Sequence, residues 1–141
     1  MSGCLFCQIA QGERQAYKVF EGEGAVAFLD IYPCAPGHTL VIPCQHYPTL
    51  AEMPPEDAGR LFQAASLVAG KVQEAMGAAG FNLGVNNGRA AGQEVFHVHV
   101  HIIPRYPNDG GGSMKSVARM SGGKDLEQIA TKLRQVISSP R

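Results

Sequence analysis

The segment His97-Val98-His99-Val100-His101-Ile102-Ile103-Pro104 constrains this chain more than any other. Strict alternation of one polar residue type with branched apolar residues is the period of a β-strand with one buried face. His97, His99 and His101 then share a face, spaced about 6.5–7 Å along the strand. Val98, Val100 and Ile102 point the other way and anchor the strand in a core. Three imidazoles in a row are costly as surface decoration and awkward as core. Titratable clusters of this kind concentrate at functional sites.

Two chemical readings of that face are open. In one, an imidazole attacks phosphorus and holds a covalent intermediate, splitting one hard displacement into two easier ones. In the other, the three histidines bind one metal, as in His₃ zinc sites. The outer two histidines of a regular strand lie about 13 Å apart. All three cannot then reach one ion at about 2 Å, although an adjacent pair could chelate.

The rest of the chain supplies an antiparallel sheet and its helices. A short helix is expected from Cys4 to Ala10. Strands follow over 16–21 and 25–30, with Gly22-Glu23-Gly24 as the hairpin turn. Pro33–Gly37 reads as a loop, and His38–Ile42 as a strand ended by Pro43. Pro54-Pro55-Glu56-Asp57 opens a helix, proline being acceptable in a first turn. Leu61, Ala65, Val68, Val72 and Ala75 recur at the spacing of one buried helical face. Phe81–Asn86 is a strand, and Val95–Ile103 is the last one, stopped by Pro104. The stretch 107–123 is a glycine-rich loop. A final helix over 124–137 buries Leu126, Ile129, Leu133 and Val136. Hairpin-linked strands with helices on one side make an α+β fold, with a sheet of about five strands, a central helix and a C-terminal helix.

At 141 residues the chain has the length of one domain, read as 1–141 with its core over 4–105. Twelve basic and twelve acidic residues balance, which argues against a broad footprint for nucleic acid or anionic membrane. A small phosphate ligand needs only local donors and is compatible with that balance. No apolar run approaches the roughly 18–20 residues of a membrane span. Met1–Gln8 lacks the charged and apolar regions of a signal peptide, so a cytoplasmic location is expected. In that reducing compartment the four cysteines do not read as disulfides. Cys4 and Cys7 form a Cys-x-x-Cys, which points to metal or redox chemistry, while Cys34 and Cys44 are expected as small buried hydrophobes.

The histidine segment resembles the histidine-triad (HIT) pattern, His-φ-His-φ-His-φ-φ, without a gap. Gly92-Gln93-Glu94-Val95-Phe96, Pro104-Arg105, Leu29-Asp30-Ile31 and Pro36-Gly37-His38-Thr39-Leu40-Val41-Ile42-Pro43 are similar to that family as well. Similar segments run from Cys4 to Arg105. The likeness is strongest to small bacterial members that carry an amino-terminal Cys-x-x-Cys.

The resemblance implies a nucleotidyl hydrolase or transferase that cleaves purine nucleotide conjugates at the α-phosphate. His99 would be the nucleophile, forming a nucleotidyl-histidine and then releasing the nucleoside monophosphate. It needs a neutral ring with one nitrogen facing phosphorus and the other held as N–H, by the His97 carbonyl in this family. His101 would contact phosphate oxygens, supported by His38. Gln93 resembles the polar residue beside the leaving atom, and Glu94 stands where a hydroxyl residue is common. Asp30 would bind the ribose hydroxyls, a good task for a carboxylate, and Asn86 is similar to the active-site asparagine. The resemblance further implies a homodimer whose sheets join across two subunits.

For Cys4 and Cys7, the redox alternative prefers a thioredoxin-like βαβ unit, which this chain lacks. Zinc needs two more ligands, and Cys₂His₂ is a common tetrahedral set. In zinc-bearing histidine-triad members the partners are the positions of His46 and His97. A structural zinc on Cys4, Cys7, His46 and His97 is therefore expected, pinning the amino-terminal segment to the histidine strand.

Overall fold

The computed structural model describes residues 3–123 and 125–139. The chain divides into two compact units between Gly111 and Gly112. The first holds helix α1 (Leu5–Ala10), strands β1 (Lys18–Gly22), β2 (Ala25–Leu29) and β3 (Thr39–Pro43), and the long helix α2 (Pro55–Met76). Strands β4 (Gly80–Val85) and β5 (Val100–Arg105) complete it. The five strands form one sheet in the order β1-β2-β3-β5-β4, and every neighbouring pair is antiparallel. This is the α+β architecture expected from the hairpin pattern.

The sheet has two covered faces because its strands alternate. Ala25, Ala27, Val41, Val98, Val100 and Ile102 pack against Leu61, Ala64, Ala65, Val68 and Ala69 of α2. Val26, Phe28, Leu40 and Ile42 take the opposite face, under Phe6 and Ile9 of α1. Each valine, leucine, isoleucine or phenylalanine side chain so buried contributes roughly 1.5–3 kcal/mol. Glu56 and Asp57 complement the helix dipole in the first turn of α2. Gly77, at φ 62°, ends it in the left-handed conformation that glycine adopts without strain. The apolar stripe of α2 leaves the core at this end: Val72 is half-buried and Ala75 exposed.

Several expected boundaries move. The last strand begins at Val100 rather than Val95, because the Val98 N–H is taken by the Tyr47 carbonyl at 2.7 Å. Nor does Pro104 stop it. Pairing with β3 ends at Ile102, so no N–H is needed at residue 104 on that side, and Pro104 pairs only with Phe81 of β4. Cys34 and Cys44 are exposed rather than buried, since both lie in chain that has left the sheet. Arg105 forks onto Asp109 at 2.8 and 2.9 Å and reaches Asn82 at 2.7 Å.

Among the described residues, the second unit contains one 3-10 turn, Met114–Ser116, and helix α3, Leu126–Ile137. Lys124, the expected first residue of that helix, lies outside the described residues. The Asp125 side chain caps α3 by accepting from the Gln128 N–H. Its apolar stripe is present but not buried as expected: Leu126, Ile129, Leu133 and Val136 are 71%, 41%, 52% and 70% exposed. One helix and one turn cannot enclose a core. Among the described residues no helix is long and apolar enough to cross a membrane.

Candidate active site and metal centre

The face of the sheet under α1 carries both expected sites. A cavity of about 320 Å³ opens there, lined by Leu5, Phe6 and Ile9 of α1, by Phe28 and Leu40 of the sheet, and by Asp30, Asn86, His99 and His101. Across the sheet the two histidines lie on the β5 side and Phe28 on β2. Two strand spacings, roughly 10 Å, separate them.

His99 is 7% exposed. Its Nδ1 lies 2.8 Å from the His97 carbonyl, so Nδ1 carries the hydrogen and donates it. Nε2 is left with its lone pair. Burial pushes the His99 pKa down, against the raising effects of that hydrogen bond and of Asp30. A neutral ring at pH 7 follows. The Phe6 ring meets it edge-on at 5.0 Å.

The same bookkeeping fixes two more rings. The Cys34 N–H donates to His38 Nδ1 at 3.2 Å, which puts the hydrogen of neutral His38 on Nε2. That nitrogen lies 2.9 Å from His101 Nδ1 and 3.6 Å from Asp30 Oδ2. His101 Nδ1 therefore accepts, and its own hydrogen stands on Nε2. This atom is buried and has no hydrogen-bond partner among the described residues. Burial, with His99 and His38 adding repulsion, pushes the His101 pKa down to about 4. Burial also lowers that of His38. Asp30, His38 and His101 come close enough to hold an ion. Yet ligation through His38 Nε2 would require a hydrogen on Nδ1, facing the Cys34 N–H. His38 and His101 are therefore joined by one hydrogen bond, with the Asp30 carboxylate 3.6 Å from its donor.

Asp30 accepts from the Tyr32 N–H at 2.9 Å through Oδ1, and Asn86 lines the cavity as expected. Gln93 is placed differently. It is 4% exposed and does not line the cavity. Its oxygen accepts from the Gly88 N–H at 2.8 Å, and its amide nitrogen donates to the Pro48 and Val95 carbonyls. Every polar atom of the side chain is occupied in bracing the 86–95 loop. Glu94, next in the chain, lines the cavity instead. Phe6, Ile9 and Phe28 were not singled out from the sequence. The clue to Phe6 and Ile9 was the short helix that carries Cys7, whose remaining positions had to cover something.

Those two cysteines meet His46 and His97, with the four ligand atoms all within 4.8 Å of one another. Cys4 Sγ and Cys7 Sγ lie 3.4 and 3.5 Å from His97 Nδ1, and Cys7 Sγ lies 3.4 Å from His46 Nδ1. A tetrahedral ion with sulfur at about 2.3 Å and nitrogen at about 2.0–2.1 Å separates such atoms by about 3.6 Å. The donor set and its spacing fit a tetrahedral transition metal. His97 is fully buried and gives its Nε2 hydrogen to the Pro43 carbonyl at 2.8 Å, which leaves Nδ1 as a lone pair toward the sulfurs. Burial pushes its pKa down to about 4, so the ring is neutral and ready to ligate.

The profile of the HIT domain matches residues 11–108. The chain is 40% identical to "Protein hit" of Bacillus subtilis over 138 residues, 96% of this chain and 95% of that one. It is 42% identical over 124 residues to "Adenylylsulfatase HINT3" of Arabidopsis thaliana, covering 88% of this chain but only 63% of that longer protein. The crystal structure of a HIT family member from Bacillus subtilis superposes with a TM-score of 0.86 at 38% identity, over 98% of this chain and 99% of that one. A zinc-bound histidine triad family protein from Mycobacterium smegmatis gives 0.73 at 34% identity, over 97% of each chain. With the uninterrupted histidine motif on the covered face of a five-stranded sheet, these matches establish that the chain belongs to the HIT family.

Proposed function

We propose that this chain is a nucleotidyl hydrolase or transferase that cleaves a purine nucleotide conjugate at its α-phosphorus. The observation that carries the reading is the His99 tautomer. Nδ1 is tied to a carbonyl, which leaves the Nε2 lone pair of this cavity-lining residue free to act as a nucleophile. Its lone pair forms a P–N bond as the bond from phosphorus to the leaving oxygen or nitrogen breaks. Water then attacks the nucleotidyl-histidine, the P–N bond breaks, and nucleoside monophosphate leaves with His99 restored. His101 Nε2–H donates to a phosphate oxygen, and His38 Nε2–H holds His101 in that tautomer. Asp30 takes the ribose hydroxyls, with Asn86 beside it. Charge on the phosphoryl oxygens is met by preorganised N–H donors, the kind of stabilisation that dominates many acyl and phosphoryl transfers. The name of the Arabidopsis relative supports a sulfate among the possible leaving groups, alongside amines and nucleoside phosphates.

Zinc is the metal proposed for Cys4, Cys7, His46 and His97, with a structural role, and the zinc-bound mycobacterial relative supports it. It would replace weak thiol–imidazole contacts by four bonds at a place where burial otherwise pushes the Cys7 thiol up. A homodimer and a cytoplasmic location complete the reading.

The test is a panel of nucleotide conjugates assayed for monophosphate release, with His99→Asn alongside. The variant should lose turnover by at least about 10⁴-fold, as for other removed nucleophiles, while still binding the monophosphate. Unchanged hydrolysis would sink the nucleophile assignment. Binding without turnover in the unaltered protein would make the chain a nucleotide-binding module.

A further inference from the structure

We propose that Phe6 is a positioning residue that couples the Cys4–Cys7–His46–His97 site to the nucleotide cavity, so that zinc and nucleotide bind cooperatively. The inference rests on the functional reading above. Helix α1 has six residues, far fewer than the roughly 12–15 a helix needs to persist alone in water. It is held by what its side chains touch, and they touch two different sites. Cys4 caps the helix and Cys7 sits in its first turn, both toward the metal ligands. Leu5, Phe6 and Ile9 of the same turns form one wall of the cavity. One short element therefore carries half of one site and part of the other.

Phe6 lies where the two sites meet. It is 5% exposed, and its ring stands edge-on to three others: His97 at 6.0 Å, His99 at 5.0 Å and Phe28 at 5.5 Å. It thus packs on a metal ligand, on the nucleophile and on the apolar end of the cavity at once. Bonds from zinc to Cys4 and Cys7 fix the residues on either side of Leu5-Phe6. A chain without the metal spends more of its time with α1 frayed, and then the cavity lacks a wall. Nucleotide binding has to restore that wall first, which lowers the apparent affinity by the fraction of chains that have it. The converse holds by linkage: bound nucleotide keeps α1 in place and tightens zinc by the same factor.

The experiment uses the full chain, zinc-loaded and chelator-stripped, with AMP and GMP titrated into each by calorimetry. Stripping should weaken monophosphate binding by roughly 5-fold or more, the lower end of ordinary coupling between sites. Saturating monophosphate should tighten zinc against a competing chelator by a matching factor. Phe6→Leu and Phe6→Met keep all four ligands. They should retain stoichiometric zinc, bring the coupling factor toward one, and raise KM more than they lower kcat. A merely structural Phe6 would change stability but leave the coupling factor at its original value. Equal affinity with and without zinc, or undiminished coupling in both variants, overturns the proposal. If the stripped chain unfolds, the chelator competition decides alone, and zinc affinity unmoved by nucleotide overturns it. Zinc-loaded protein that binds neither monophosphate refutes the functional reading and this inference with it. Binding that ignores zinc refutes only the inference.

Discussion

At His38, the Cys34 N–H occupies Nδ1, and this contact fixes where hydrogens lie on two rings. The rings pay for their placement in solvation, which gives a pH dependence of known sign. His101, pushed down to about 4, and His38, lowered in the same direction, bind protons less readily folded than unfolded. Above the ordinary imidazole value of about 6.5 neither state is protonated, so the full stability is present. As pH falls from there toward 4, the unfolded chain takes up protons first, and stability is lost. The urea midpoint of the zinc-loaded protein should drop across that window, and His101→Asn should drop less steeply. A variant with the original slope would show that His101 is not responsible. The sequence displayed His38, His99 and His101 as functional, through alternation and the family motif. The resemblance also gave the hydrogen on His99, through the His97 carbonyl, but not those on His38 and His101, which depend on the Cys34 main-chain N–H and carry no side-chain signature.

Elements show a similar division. The hairpin turn expected at Gly22-Glu23-Gly24 and the proline-led start of α2 were plain in local chemistry, although Gly22 closes β1 and the turn is Glu23-Gly24 alone, with φ of 56° and 70°. The 86–95 loop was not. Gln93 belongs to a motif that resemblance assigns to substrate, whereas its amide ties Gly88 to Pro48 and Val95. Pro48 is distant in the chain, and no local pattern announces such a partner. Gln93→Ala would leave the half-buried Gly88 N–H and two carbonyls short of a partner, a cost of about 1–3 kcal/mol. Urea unfolding measures it. Turnover should fall less than on loss of His99, and a loss as large as that of His99→Asn would return Gln93 to the reacting atoms. The glycine before His38 is under a similar demand. Gly37 has φ 89°, and a Cβ there would lie 2.7 Å from Met76 Cγ and 3.2 Å from Pro104 Cγ. Gly37→Ala should lower stability by at least about 1–2 kcal/mol from backbone strain alone, read in the same unfolding assay.

For the whole molecule, the five-stranded sheet was legible because each strand was a short apolar or alternating run bounded by its own turn signals. The exposed stripe of α3 was not, since periodicity reports an amphipathic helix whether or not anything covers it. Size-exclusion chromatography with light scattering should give twice the 15.0 kDa of one chain, in line with the dimer that the family resemblance implies; a monomeric mass across the working concentration range would remove that expectation. His97 has a further consequence at this scale. Its ring turns to the metal ligands, while the service it does His99 runs through its main-chain carbonyl. Every amino acid has that carbonyl. A lineage that lost Cys4, Cys7 and even the imidazole at position 97 could keep the His99 ring in the same tautomer, so inheritance can part the four-residue cluster from the histidine cavity although one residue serves both.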